Sequence, residues 1–80
     1  MKTIYQAKYS ALIERLIAAR RNAGLTQAEI AKILDKPQSY VAKIEGKDRK
    51  LDVMEFVELC ETIGQEPSEL IKVIQRMPSA

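Results

Sequence analysis

Eighty residues, 46% hydrophobic and 30% charged, have the composition of one globular domain and leave little chain for a second. No segment approaches the roughly 18 apolar residues of a membrane span, and residues 1–6 are too polar for a signal peptide, so the expected location is the cytosol. One cysteine excludes an internal disulfide and zinc fingers, and the absence of histidine removes the commonest general base. We expect no enzymatic activity, no cofactor and no small-molecule ligand.

The charges are unevenly distributed along the chain. The net charge is only +2, but residues 1–23 carry five Lys or Arg against one acid, and residues 51–80 carry two against six. A molecule with a basic part and an acidic part can turn its basic side toward a polyanion such as nucleic acid. A solvated charged surface gives the same count, so charge alone leaves both interpretations open.

We predict five helices and no strands, because few runs alternate β-branched side chains. The first helix is predicted over residues 8–23 and ends at Gly24, since glycine readily adopts the left-handed conformation that follows many helices. Apolar side chains spaced three and four apart give this helix one buried face: Tyr9, Leu12, Leu16, Ala19 and Ala23, widened by Ile13.

The second and third predicted helices are short and flank the turn Asp35-Lys36-Pro37. The second spans residues 27–34, because Thr26 and Glu29 have the spacing of a capping box. The third spans residues 38–45 and ends at Gly46. The side chains expected to face inward from these two helices are Ala28, Ile30, Ala31, Ile33, Leu34, Val41 and Ile44.

The fourth predicted helix spans residues 53–63, because Asp52 and Glu55 have the spacing of an N-cap and the third helical position, and Gly64 follows its end. The fifth begins near Pro67 and ends near Met77. The acidic face of the fourth helix, Glu55, Glu58 and Glu61, is expected to be solvated. The inward positions are Val53, Phe56, Val57, Cys60 and Ile63 on the fourth helix, and Leu70, Val73, Ile74 and Met77 on the fifth. The predicted fold class is all-α, a compact five-helix bundle in one domain with its core in residues 8–77.

Two short helices joined by a three-residue turn are typical of a helix-turn-helix. The segments Leu25–Ala31 and Pro37–Glu45 resemble the helix-turn-helix of the phage Cro/C1 repressor family, also called the XRE family, and the resemblance extends from about Leu12 to Ile63. It implies a lambda-repressor-like DNA-binding domain. Two departures stand out. Asp35 replaces the usual turn glycine, but Asp tolerates the left-handed conformation better than most residues, so we expect the turn to form. One residue is missing between Glu45 and Gly46, which leaves the path of the following loop open.

The resemblance implies roles for individual residues when the third helix enters the major groove of double-stranded DNA. Amide, hydroxyl and ammonium groups can form hydrogen bonds with base edges. Cationic side chains and hydroxyl groups can also bind DNA phosphates. The implied base contacts are Gln38, Ser39 and Lys43. The implied DNA backbone contacts are Gln27, Lys36, Tyr40, Lys47, Arg49 and Lys50. Bland alternatives stay open: Tyr40 could cover a helix edge, Lys43 could be solvated, and Ser39 could bond only its own helix.

The resemblance also implies two structural features. Arg20 and Glu45 are expected to form a partly buried ion pair between the first and third helices. The face made by Leu70, Ile71, Ile74 and Met77 is expected to form a homodimer, which would place two recognition helices about one DNA turn, roughly 34 Å, apart on a near-palindromic site.

The function expected from these features is that of a sequence-specific transcriptional regulator, acting as a repressor and associated with the nucleoid through its DNA. The alternative is an antitoxin-like or other protein-interaction module that uses the helix-turn-helix as a scaffold. Exposed polar residues at Gln38, Ser39 and Lys43 favour DNA, because an apolar patch there would have favoured a protein partner.

Overall fold

The computed structural model describes the backbone of residues 2–78 and the side chains of residues 7–78. Within that part of the chain every regular element is a helix, as the sequence predicts. The five elements are α1 (Lys2–Asn22), α2 (Gln27–Ile33), α3 (Gln38–Glu45), α4 (Val53–Ile63) and α5 (Pro67–Gln75). None of these helices combines the length and the apolar character that crossing a membrane requires.

Four predicted boundaries differ from the observed ones, two of them by a single residue: α1 ends at Asn22 and α2 at Ile33. Helix α1 begins at Lys2 rather than near Lys8, because a buried stripe marks where a helix packs and not where its backbone starts. Helix α5 ends at Gln75, before Met77. The bounds predicted for α3 and α4 are those observed.

The helix ends show how local sequence sets the elements. Reciprocal capping boxes start α2 at Thr26 with Glu29 and α4 at Asp52 with Glu55, so the orphan N–H groups of both first turns are bonded. Gly64 closes α4 in the left-handed conformation, with φ +73°. These features confirm the predictions made from residue spacing.

The core lies where all five helices meet. It is formed by one buried set of side chains: Ile13, Leu16, Ile30, Ala31, Val41, Ile44, Phe56, Leu59, Cys60, Ile63 and Leu70. Ile13 is completely buried and is therefore central to the first helix's face instead of its margin. Leu59 was not predicted, although it lies three residues after Phe56 and four before Ile63, which is the spacing of one helical face.

Several side chains predicted to face inward are exposed. Ile33 is 62% exposed and Val53 is 76% exposed, and Ala23 and Ala28 are also exposed. Ile33 is the last residue of α2 and Val53 the first of α4, so both lie at helix ends. Helical periodicity assigns a residue to a face, but it does not say how far along the helix that face is covered.

Candidate nucleic-acid interface

Helices α2 and α3 form a helix-turn-helix unit whose inner side is locked into the core. Ile30 and Ala31 of α2 and Val41 and Ile44 of α3 are all buried. The connecting turn requires a left-handed residue, and Asp35 adopts φ +57° there. Asp tolerates this conformation better than most residues, so the turn forms without the usual glycine, as the sequence predicted.

The outer side of α3 is polar and free of neighbours. The three side chains predicted to contact bases, Gln38, Ser39 and Lys43, are exposed. None of the three has a hydrogen bond or ion pair with another residue of the described chain. The N-cap residue, Pro37, supplies no side-chain hydrogen bond to the helix start. These side chains are therefore available to a ligand that approaches α3 from outside.

The C-terminal end of α3 is tied to α1 by a nearly buried ion pair. Arg20, which is 9% exposed, donates from Nε to Glu45 Oε2 over 2.7 Å and from Nη2 to Oε1 over 2.9 Å. Its Nη1 donates to the Leu25 carbonyl over 2.9 Å. The pair expected between Arg20 and Glu45 is thus present, with bidentate geometry that orients α3 against α1.

Gln27 is also part of this network. Its Nε2 donates to Glu45 Oε1 over 2.9 Å, and the side chain is half-buried at the start of α2. The family resemblance implies that Gln27 contacts a DNA phosphate. In the structure its amide nitrogen holds Glu45, and its amide oxygen has no partner among residues 7–78. Gln27 therefore links the start of α2 to the end of α3.

Tyr40 lies beside two cations. The Lys36 Nζ atom lies over its ring at 5.4 Å from the centroid, and the Arg49 Cζ atom at 5.0 Å, distances at which cation–π attraction operates. Burial, reinforced by the nearby Glu55 carboxylate, raises the pKa of Tyr40. Three residues that the sequence assigned separately to the DNA backbone thus form one cluster at the flank of α3.

Glu55 anchors that cluster, which corrects its assignment to a solvated face. Arg49 donates from Nη2 to Glu55 Oε2 over 2.6 Å and from Nη1 to Oε1 over 2.8 Å. The same carboxylate caps α4 by accepting from the Asp52 N–H over 3.0 Å. Hydrogen bonding from Arg49 lowers the pKa of Glu55 to about 2. The spacing of Asp52 and Glu55 predicted the cap, but the path of the loop brings Arg49 back to it.

The loop between α3 and α4 is held by α1. The Tyr9 hydroxyl accepts from the Leu51 N–H over 3.0 Å and donates to the Arg49 carbonyl over 3.4 Å. Lys47 Nζ pairs with Glu14 Oε2 over 2.9 Å, and the pairing lowers the pKa of Glu14. Tyr9 and Glu14 were not predicted as partners of this loop, since about forty and thirty residues separate them from it.

The chain leaves α3 through a left-handed residue that is not glycine. Gly46 ends α3 in a right-handed conformation, with φ −80°, and the left-handed position falls on Lys47, with φ +64°. A lysine there carries a conformational cost that glycine would avoid. Lys50, by contrast, is exposed and has an ordinary negative φ.

Helix α5 divides the residues expected at a dimer interface. Leu70 is buried in the chain's own core, so its side chain is not available to a second copy, and its assignment to that interface is corrected. Ile71 is 48% exposed, while Ile74 and Met77 are half-buried. These three remain the candidates for an intermolecular face.

Comparison with known proteins agrees with this geometry. The family model described as a helix-turn-helix domain matches residues 13–76. Among solved structures, the chain is similar to an XRE-family like protein from Pseudomonas syringae pv. tomato str. DC3000, with 46% sequence identity and a TM-score of 0.90 over 92% of this chain and 90% of that one. A comparison with curated proteins found no match. Because the family model covers most of the chain, and a structure of that family superposes on nearly all of it, the chain belongs to the XRE-type helix-turn-helix family of DNA-binding regulators.

Proposed function

We propose that this protein is a sequence-specific regulator that inserts α3 into the major groove of double-stranded DNA. The observation that carries the proposal is the contrast between the two faces of α3. Val41 and Ile44 are buried, which fixes the helix, while Gln38, Ser39 and Lys43 project into solvent without partners in the described chain. A glutamine amide can bond adenine N6 and N7 together, and a lysine can donate to guanine O6 and N7.

The DNA backbone contacts proposed around α3 fall into two groups. Lys36 and Lys50 are exposed cations that can neutralise phosphates directly. Lys47 is paired with the exposed carboxylate of Glu14, and a phosphate can compete for it. Gln27, Tyr40 and Arg49 contact other side chains of the protein, so any phosphate they bind meets groups already oriented within it: Glu45 holds Gln27, and Glu55 holds Arg49 over the Tyr40 ring. Such contacts fix the register of docking and carry no sequence information themselves.

We further propose that the chain acts as a homodimer on a near-palindromic site, and that it represses transcription by occupying that site. Ile71, Ile74 and Met77 would form the intermolecular face, because together they leave apolar surface of α5 uncovered. A two-fold dimer would present two copies of α3 to successive major grooves on one side of the duplex. Ile71→Glu should give a monomer by analytical ultracentrifugation, and an unchanged sedimentation coefficient would contradict this interface.

Selection of bound sites from a random DNA pool, followed by Gln38→Ala, tests base recognition. The variant should lose about 1–3 kcal/mol of binding to the selected site and relax the preference at one base position. Gln75→Ala is the matched control, since it removes an exposed glutamine from α5, which does not contact α3. An equal loss on every sequence would instead make Gln38 a backbone contact.

A protein-interaction module is the second candidate function. The observation in its favour is the exposure of large apolar side chains at the end of α2 and the start of α4, Ile33, Val53 and Met54. Binding to DNA should weaken steeply with added salt, whereas burial of apolar surface against a protein should not. Titration of the selected and random DNA at several salt concentrations therefore separates the two candidates.

A further inference from the structure

The cluster beside α3 contains one negative charge where DNA would approach. Glu55 lies at the start of α4, yet its carboxylate holds the Arg49 guanidinium by two hydrogen bonds of 2.6 and 2.8 Å. Arg49 in turn lies over the ring of Tyr40, a residue of α3, and Lys36 lies over the same ring. Glu55 therefore connects α4 to the flank of the recognition helix through two other side chains.

The pair is asymmetric in its exposure. The side chain of Glu55 is 15% exposed, and that of Arg49 is 41% exposed. A guanidinium bonded through Nη1 and Nη2 still has N–H groups directed elsewhere, so Arg49 can reach a phosphate without leaving the carboxylate. Its orientation is set by the planar two-point contact, and its positive charge is largely offset by Glu55.

We propose that Glu55 is a positioning residue for DNA recognition. It holds Arg49 and Tyr40 in one rigid arrangement for contact with the DNA backbone, and its negative charge reduces the attraction of Arg49 to the phosphates of DNA of any sequence. This inference rests on the proposed function. When the phosphate-contacting side chains are held rigidly, their contacts form in only one docked position of α3. In that position the side chains of Gln38, Ser39 and Lys43 lie opposite the base edges that they bind. A free arginine at the same place would attract every duplex alike.

Two physical consequences follow for a chain in which Arg49 is released. The plot of log affinity against log salt for random DNA becomes steeper, because one additional cation neutralises a phosphate. The ratio of specific to random binding falls, because flexible Arg49 and Tyr40 side chains no longer favour one docked position. Glu55 would thus influence sequence discrimination without contacting DNA.

Glu55→Gln tests this, because glutamine can also complete the capping box with Asp52 and so preserves the start of α4. Glu61→Gln is the matched control: it makes the same charge change at an exposed position of the same helix. Relative to this control, Glu55→Gln should steepen the salt slope on random DNA by about 0.9. It should also lower the ratio of specific to random affinity by about fivefold, the scale of coupling between residues in contact.

A second pair of variants separates positioning from a general loss of structure. In an Arg49→Met background, Glu55→Gln should change the specificity ratio no further, because the carboxylate acts through Arg49. An additive second loss would overturn the proposal, and so would a specificity ratio equal to that of Glu61→Gln. Arg49→Met alone should lower the ratio even if Glu55→Gln fails to fold.

The wild-type protein distinguishes failure of this inference from failure of the proposed function. If the wild type selects no sites from the pool, the proposed function and this inference fall together. If the wild type selects sites and the two glutamine variants behave alike, only the role of Glu55 is overturned. A salt slope for Glu55→Gln equal to that of the control would show that Arg49 already gives its charge to phosphates, which also contradicts the proposal.

Discussion

Removing one partner of the ion pair between Arg20 and Glu45 should be among the most destabilising substitutions in this chain. Arg20→Met keeps most of the aliphatic stem and removes the guanidinium, so three hydrogen bonds are lost, two to Glu45 and one to the Leu25 carbonyl. Glu45 then retains only the Gln27 amide. Leaving a nearly buried carboxylate without its cation costs about 3–5 kcal/mol. Small domains have only about 5–15 kcal/mol in total.

Removing both charges should be less harmful than removing one. In Arg20→Met/Glu45→Met no buried charge remains, and a buried ion pair replaced by apolar side chains is often neutral in stability. The Leu25 carbonyl still loses its donor, which costs about 1–3 kcal/mol. We therefore expect the double variant to be more stable than Arg20→Met.

Urea unfolding followed by circular dichroism measures these differences, with Glu14→Gln as the control. That variant breaks the exposed pair with Lys47 and should cost little, because solvent screens the interaction between exposed charges. The reasoning would be refuted if Arg20→Met cost as little as Glu14→Gln. It would also be refuted if the double variant lost as much free energy of unfolding as Arg20→Met and Glu45→Met together, since the two charges would then act independently.

Three further predictions concern the loop, acid stability and the cysteine. Lys47→Gly should raise the free energy of unfolding by about 0.5–1 kcal/mol, because relief of the left-handed strain exceeds the loss of the exposed pair with Glu14. Lys50→Gly should lower the free energy of unfolding, and equal melting temperatures of the two variants would contradict this. The pKa of Glu55 is about 2 against an ordinary 4.5, so its stabilisation is full above about pH 4.5 and is lost as the pH falls toward 2. The stability advantage over Glu55→Gln should shrink across that range, and a constant difference would exclude the depressed pKa. Burial raises the pKa of the Cys60 thiol to about 11. Iodoacetamide at pH 8, followed by mass spectrometry, should therefore show far slower labelling of the folded protein than of the urea-unfolded protein, and similar rates would contradict the burial of Cys60.

The sequence by itself determined those features that depend on residues within a turn or two of one another. Capping pairs, helix-ending glycines and apolar spacing predicted five helices and the bounds of α3 and α4. The residue type at position 35 also predicted that Asp35 could adopt the left-handed conformation of the turn. The residue types of α3 predicted that its outer side would be polar. These signals act over three or four residues, so they can be seen before the chain is folded.

Only the tertiary structure decided which groups meet when the helices pack. It exposed Ile33 and Val53 at helix ends, directed Leu70 into the core, and brought Glu55 to Arg49. The positions of Tyr9 and Glu14 against the distant loop have no local sequence signal, because they follow from where whole helices cross. Burial and ion pairing are properties of that crossing, and local spacing along the chain does not specify them.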